Sequence, residues 1–323
     1  MKLKRSFFKE IKPTRWSRRA ARIARGVAGA AIAIALGMGN LAALAGDPFR
    51  SGDGAKDIGI NTEAAFEALF FNGNYDLAAD KVADALQTEA DDPMVHAMAA
   101  SLAYLDSDLS TMLSKAGDTK DAAEALMETD ELRGNLYMAV GIFLEGAHVL
   151  LTEGTVSGTP QALAKLQRVF THMDRAERVD GDDPELNLLK GYMDVMLAVN
   201  LPFSDPDDAI ENLSTYAAPT YVSQRGVAIA HRDLGNFSDA LAAVNLALEA
   251  APNNPDLIYL QGQIYSKLGQ TQNSYEAFTE ALEFADQLPN GTVRQLRYEQ
   301  CLVDADQTNC GPRLDGGEFD VQS

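Results

Sequence analysis

The residue types that most often do chemistry are all present, but their spacing points to structure. Adjacent acids occur at Asp91-Asp92, Asp182-Asp183 and Asp207-Asp208. General acid and base work needs two carboxyls held across a cleft in different environments, so that one keeps its proton while the other ionises. Neighbouring acids in short polar segments supply no such separation, and these pairs read as solvated helix caps. The run Asp180-Gly181-Asp182-Asp183-Pro184-Glu185 is rich in oxygen, yet it lacks the alternating ligands and downstream bidentate glutamate of a calcium loop. His96, His148, His172 and His231 are too scattered for a metal ligand set. Nucleophile elbows, phosphate-binding glycine loops and zinc-protease signatures do not occur. The expectation is a protein that is not an enzyme and uses no metal or cofactor.

Cys301 and Cys310 are the two cysteines of the chain. In an oxidising compartment they read as a disulfide closing a small loop just after the last helix, with inert thiols or a metal pair as the alternatives. Charge distribution bears on the compartment. Residues 1–45 hold ten lysines and arginines against the single acid Glu10, while the other residues hold 17 basic against 46 acidic side chains, a balance of −29. Such a body repels phosphate backbones, which excludes nucleic acid as the expected partner.

The basic head is followed by an apolar run from Gly26 to Ala45 that ends Ala43-Leu44-Ala45 before Gly46-Asp47-Pro48. A positive region, an apolar region and a small-x-small site are the parts of a secretory signal, so export with cleavage after Ala45 is expected, to the periplasm or a comparable compartment. An uncleaved anchor facing outside the cytoplasm is the alternative, because about twenty apolar residues just span a bilayer. Gly26, Gly29, Gly37, Gly39 and Asn40 weaken the run as a permanent membrane helix. Ser17-Arg18-Arg19 has the paired arginines of a twin-arginine signal without the apolar pair that should follow, and the site has no cysteine for lipid attachment.

Two helix pairs near the C-terminus repeat each other. Gly235 to Gly269 and Ala247 to Ala281 are the same 34-residue step. In the first unit, Val222 to Leu234 and Ser238 to Ala250 read as helices around Gly235-Asn236-Phe237, with Ser238 as the cap and Pro252 and Pro255 as breakers. The second unit repeats this from Asp256 to Phe284. Phe70 to Tyr75, followed by Ala78 and Ala85, shows the same grammar, including the five-residue step from Gly73 to Ala78. A helix pair buries only one face of itself, so repeated pairs imply stacked neighbours with a shared core. Weaker frames put Ala100, Gly141 and Gly191 at small positions and Tyr104 and Tyr192 on similar faces, giving about six pairs. Inserts are expected near Asp106 to Lys120, Thr155 to Pro160 and Asn200 to Pro206, and Leu132 to Leu151 reads as one long helix. The predicted organisation is a signal at 1–45, a flexible leader at 46–58, helical repeats at 59–300 (clearest at 59–92, 221–254 and 255–288), and a cysteine-closed loop and tail at 301–323.

These units resemble the tetratricopeptide repeat. Small residues stand where helices cross, at Ala228 and Gly262, Ala240 and Ser274, and Ala247 and Ala281, with His231 and Tyr265 in the aromatic slot. Gln224 and Ile258 replace the tryptophan often found in the family. The resemblance implies an all-α, right-handed solenoid of antiparallel helix pairs with no β-sheet, and a protein or peptide partner held in the concave groove. It maps that groove onto Arg225, Ile229, Arg232, Tyr259, Gln263, Ser266 and Lys267, with pairing of Arg225 and Arg232 to neighbouring acids as the alternative. Ile229 stands where carboxylate-clamp members have asparagine. The whole arrangement resembles exported tetratricopeptide proteins of bacteria, cyanobacterial ones among them. A membrane-tethered accessory subunit of a transport or polysaccharide-export complex is the alternative reading, and an enzyme with an unrecognised site the third.

Overall fold

The computed structural model describes residues 46–200, 206–304 and 310. The expected signal at 1–45, and residues 305–309 and 311–323 of the expected loop and tail, lie outside the described residues. The fold is all-α, a TPR-like solenoid, with no strand among the described residues. Helix α1 is Ile60–Phe66, continued by a π-helical turn at Glu67–Phe71. It is followed by α2 Tyr75–Thr88, α3 Pro93–Leu105, α4 Leu109–Leu126, α5 Glu131–Val179, α6 Pro184–Asn200 and α7 Pro206–Thr215. Then come α8 Thr220–Leu234, α9 Phe237–Ala250, α10 Pro255–Lys267, α11 Thr271–Leu282 and α12 Asn290–Val303.

Helix α5 is two arms. Gly154 has φ 76° and ψ 165°, a conformation open essentially to glycine, and the chain reverses there. Lys165 meets Glu145 at 2.6 Å and His172 meets Asn135 at 3.0 Å across the two arms, which fixes them as antiparallel. The described residues therefore form six helix pairs, with α12 packed on α10 and α11 at the end. First helices of neighbouring pairs touch, α1 with α3, α3 with α5, α6 with α8, α8 with α10 and α10 with α12, and make one layer. Two expected inserts are helical instead: Asp106 to Lys120 runs into α4, and Thr155 to Pro160 opens the second arm of α5. Polar residues in these stretches masked their apolar positions, such as Met112 and Ala116, both buried. Residues 201–205 of the third insert lie outside the described residues.

Local chemistry sets the helix starts. Asn74, Asp92, Asp108, Asp130 and Asn254 accept backbone N–H bonds in the first turns of α2, α3, α4, α5 and α10. Ser238 is not a cap: α9 starts at Phe237, with Asn236 before it and no side-chain cap bond. The small positions are contacts between helices. Ala78, Ala85, Ala228, Ala240, Ser274, Ala247 and Ala281 are fully enclosed, and a Cβ on Gly262 would lie 2.6 Å from the Phe278 ring. Phe278 is itself buried in the core of the last pairs, worth roughly 2–3 kcal/mol relative to exposure.

Residues 46–58 are an ordered strap. Phe49 and Ile58 are buried in the main core, and Phe49 meets the Phe66 ring edge-on at 5.0 Å. Arg50 donates to Asp183 Oδ2 at 2.7 Å and to Glu185 Oε2 at 2.9 Å. Glu185, with no exposed surface, also receives Arg133 Nε at 3.0 Å and the Tyr137 hydroxyl at 2.7 Å. Arg133 continues to Asp92 at 3.3 Å. The reading of Asp92 and Asp183 as solvated caps is thus corrected. Both do cap helices, α3 and α6, but Asp183 is buried and both face guanidinium groups. Cys301, in the last turn of α12, is disulfide-bonded to Cys310.

Asp194 on α6 is a titratable weak point. Burial, reinforced by Asp208 and Glu177 and opposed by Lys190, pushes its carboxyl up to about 6. A raised carboxyl favours the fold while protonated, below the ordinary range, and that contribution is lost as pH rises through about 6. Asp194→Asn is therefore expected to stabilise the protein by about 1–2 kcal/mol at pH 8 and to change little at pH 4, as read by denaturant melts at both values.

Candidate functional site

Helices α8, α10 and α12 line a groove of about 350 Å³ bounded by Arg232, Gln263, Ser266, Lys267, Phe278, Glu299 and Leu302. Positions 259, 263, 266 and 267 share one face of α10 because a helix returns to the same side every three or four residues. Arg232, in the last turn of α8, donates from Nη1 to Gln263 Oε1 at 2.7 Å and from Nε to Asp233 at 2.8 Å. Its Nη2 makes no bond among the described residues. Gln263 passes the contact on, donating to Glu299 Oε2 at 3.0 Å, and Gln295 donates to the other oxygen at 2.6 Å. Lys267 is exposed at the rim with no ion pair among the described residues. Leu302 is 59% exposed, and buried Phe278 forms the floor.

Tyr259 stands at the groove's back. Its ring lies 5.8 Å from that of Phe278, and burial together with the Glu299 charge pushes its phenol well above the ordinary value. The site can offer guanidinium and ammonium donors to a carboxylate, a carboxylate to a donor, and an apolar seat between them.

The predicted residues divide between two places. Arg232, Gln263, Ser266 and Lys267 line the groove together, and Tyr259 backs it. Ile229 is partly buried against the main core. Arg225 lies two helical turns before Arg232 and is enclosed by Tyr192, Asp256 and Tyr75. Burial opposes its charge, but these neighbours more than offset that and hold the guanidinium protonated. For Asp256, burial pushes the carboxyl up while Arg225 and the Tyr75 hydroxyl, 2.5 Å away, hold it down. The surface around Arg225 is already occupied by the first helix pair. Asn254 Nδ2 donates to the carbonyls of Phe70 and Phe71 at 2.9 and 3.2 Å, and Phe71 meets Tyr221 edge-on at 5.3 Å. Gly73 has φ 61°, and a Cβ there would sit 2.7 Å from Asn254 Oδ1. The turn thus needs glycine both for its backbone and for this approach.

The repeat resemblance does not assign Glu299, Leu302 or Phe278 to the groove. A signal was available: the 34-residue step taken once more from Tyr265 and Leu268 lands on Glu299 and Leu302. A larger cavity of about 440 Å³ lies between the arms of α5 and the end of α6, lined mainly by Ile142, Phe143, Leu163, Leu166, Met196 and Leu197. It is apolar, and its Lys165 is committed to Glu145.

Arg225→Ala leaves Asp256 buried without its cation. It is expected to cost about 3 kcal/mol in chemical denaturation, while Arg232→Ala, at a side chain partly exposed and paired with its neighbour Asp233, costs under about 1 kcal/mol.

Comparison with known proteins agrees with the geometry. Residues 255–287 match the family model of the tetratricopeptide repeat, covering α10, α11 and the turn between them. No curated protein matches the chain. The matched segment supplies the middle wall of the groove, and repeats of this family mediate protein–protein contacts, so a protein partner is the general expectation. Over α10 and α11 the chain is therefore similar to the tetratricopeptide repeat, a family whose repeats mediate protein–protein contacts.

Proposed function

We propose that the chain is an exported, non-catalytic scaffold that holds an acidic segment of a partner protein in the α8, α10 and α12 groove, supporting assembly or maintenance of envelope components. Export rests on the basic head, the apolar run from Gly26 to Ala45 and the small-x-small site, with cleavage after Ala45. Binding rests on one observation: Arg232 and Lys267 converge on a groove with an apolar seat, in a protein whose formal net charge is −20. Local positive charge on an acidic body orients a partner, because it is attracted to this groove and repelled elsewhere. Glu299 beside the two cations sets polarity, favouring a ligand whose carboxylate points to Arg232 and whose donor points to α12.

The test is cross-linking from a photoreactive side chain placed at Ser266 in the exported full chain. A protein partner is expected to be captured, and Arg232→Glu combined with Lys267→Glu is expected to lower the yield at least about tenfold, the equivalent of about 1.4 kcal/mol. Equal capture by the double variant, with an unchanged melting profile, removes the groove from the function.

A further inference from the structure

The backbone nitrogen of Gly46 donates to Glu63 Oε2 at 3.0 Å. This contact is held from both sides. Asp47 Oδ1 accepts the N–H groups of Phe49 and Arg50, its Oδ2 accepts from Lys56 N and from Arg50 Nη1, and Phe49 is locked against Phe66 of α1. The residue next to Gly46 is therefore fixed, and the nitrogen is aimed at the first turn of α1.

Glu63 has no cation among the described residues. The two basic side chains of the strap are committed elsewhere, Arg50 to Asp47, Asp183 and Glu185, and Lys56 to Asp130. Glu67 follows one turn later, and partial burial and the charge of Glu63 push its carboxyl up. Tyr221 of α8 is raised by burial and by the same two glutamates. Like charges four residues apart weaken a helix, and a cation beside them relieves the repulsion. Acidic residues in the first turn of a helix are otherwise favourable, so Glu63 also suits α1 without a partner.

We propose that Glu63 receives the α-ammonium group of Gly46, created when a peptidase cuts the chain after Ala45, so that maturation itself adds the missing cation and fastens the strap to α1. This rests on the cleavage position given above. In the cut, one water is consumed and the amide C–N bond breaks. Ala45 keeps the carboxylate, and Gly46 leaves as an amine that takes up a proton. A neutral N–H donor becomes a charged group with three donors at the same point, and charge-assisted bonds are about twice as strong as neutral ones. The pair contributes stability below the ordinary amine range and loses it as pH rises through the raised value.

The test uses the full chain in two forms. In the first, an exporting bacterial host processes the natural sequence, and the N-terminal residue of the product is determined. In the second, a recognition sequence for a site-specific protease is placed directly before Gly46, so that cleavage in vitro exposes Gly46 whatever the host does. The expected natural product starts at Gly46. In the second form the amine, followed by an isotopic label at Gly46, is expected to titrate above about 8 and to return to that value in Glu63→Gln. Acetylating the amine of the unsubstituted protein is expected to lower Tm by about 2 °C. A natural product starting elsewhere overturns the cleavage position. An amine that titrates alike in native and Glu63→Gln protein, with Tm unmoved by acetylation, overturns the capture by Glu63.

Discussion

Glu185 is the constraint around which the first half of the molecule is arranged. Its carboxylate has no access to water and is met by Arg50 from the strap and Arg133 from α5, with the Tyr137 hydroxyl as a third donor. A buried ion pair adds little net stability over a well-packed apolar substitute, since desolvation consumes most of the attraction. Its demand is geometric. Each guanidinium must stay within hydrogen-bond distance of its oxygens, so the strap, α3, α5 and α6 can meet in one arrangement only. This cluster sits where the 34-residue step is least regular, and it supplies the register that periodic apolar contacts provide farther along.

From α8 onward the buried pair of Arg225 and Asp256 is joined by a second kind of restraint. Small residues at the crossings let helix axes approach, and large ones such as Phe278 fill the space between pairs. Polar side chains on the inner layer then line the groove, where Arg232, Gln263 and Glu299 bond in series. The apolar cavity between the arms of α5 has the opposite character, with a single charged lining residue that is already paired. Both halves thus contain buried charge, around Glu185 in the first and between Arg225 and Asp256 in the second, while the groove adds exposed charge at Lys267.

What was legible in the sequence is what depends on residues near one another. The turns at Gly73, Gly235 and Gly269, the enclosed alanines and the two clearest helix pairs follow from spacing over a few turns of chain. Arg225 pairs with an acid, Asp256, and its enclosure is harder to read from sequence. Its position on the inner face of α8 is as the repeat requires, but Tyr75 approaches it from a segment 150 residues earlier, and nothing local announces that. The strap was misread for the same cause: Asp47, Pro48 and Gly52 look like a linker, and only Asp183 and Glu185 give Arg50 a reason to be ordered. Helix α4 was hidden by composition, since Ser110, Gly117 and Asp118 dilute an apolar face that α3 and α5 bury.

Closure of the first turn onto Asn254 changes how such a stack comes into being. In an open array each unit can settle on its predecessor as soon as it is made, because every contact is with the next neighbour. Here Phe70 and Phe71 find their donor only 184 and 183 residues later. Joining points so far apart in the chain carries an entropic cost that must be met before the contact returns anything. Synthesis therefore runs most of its course with the opening helices lacking their last neighbour, because that contact can form only after Asn254 has been added.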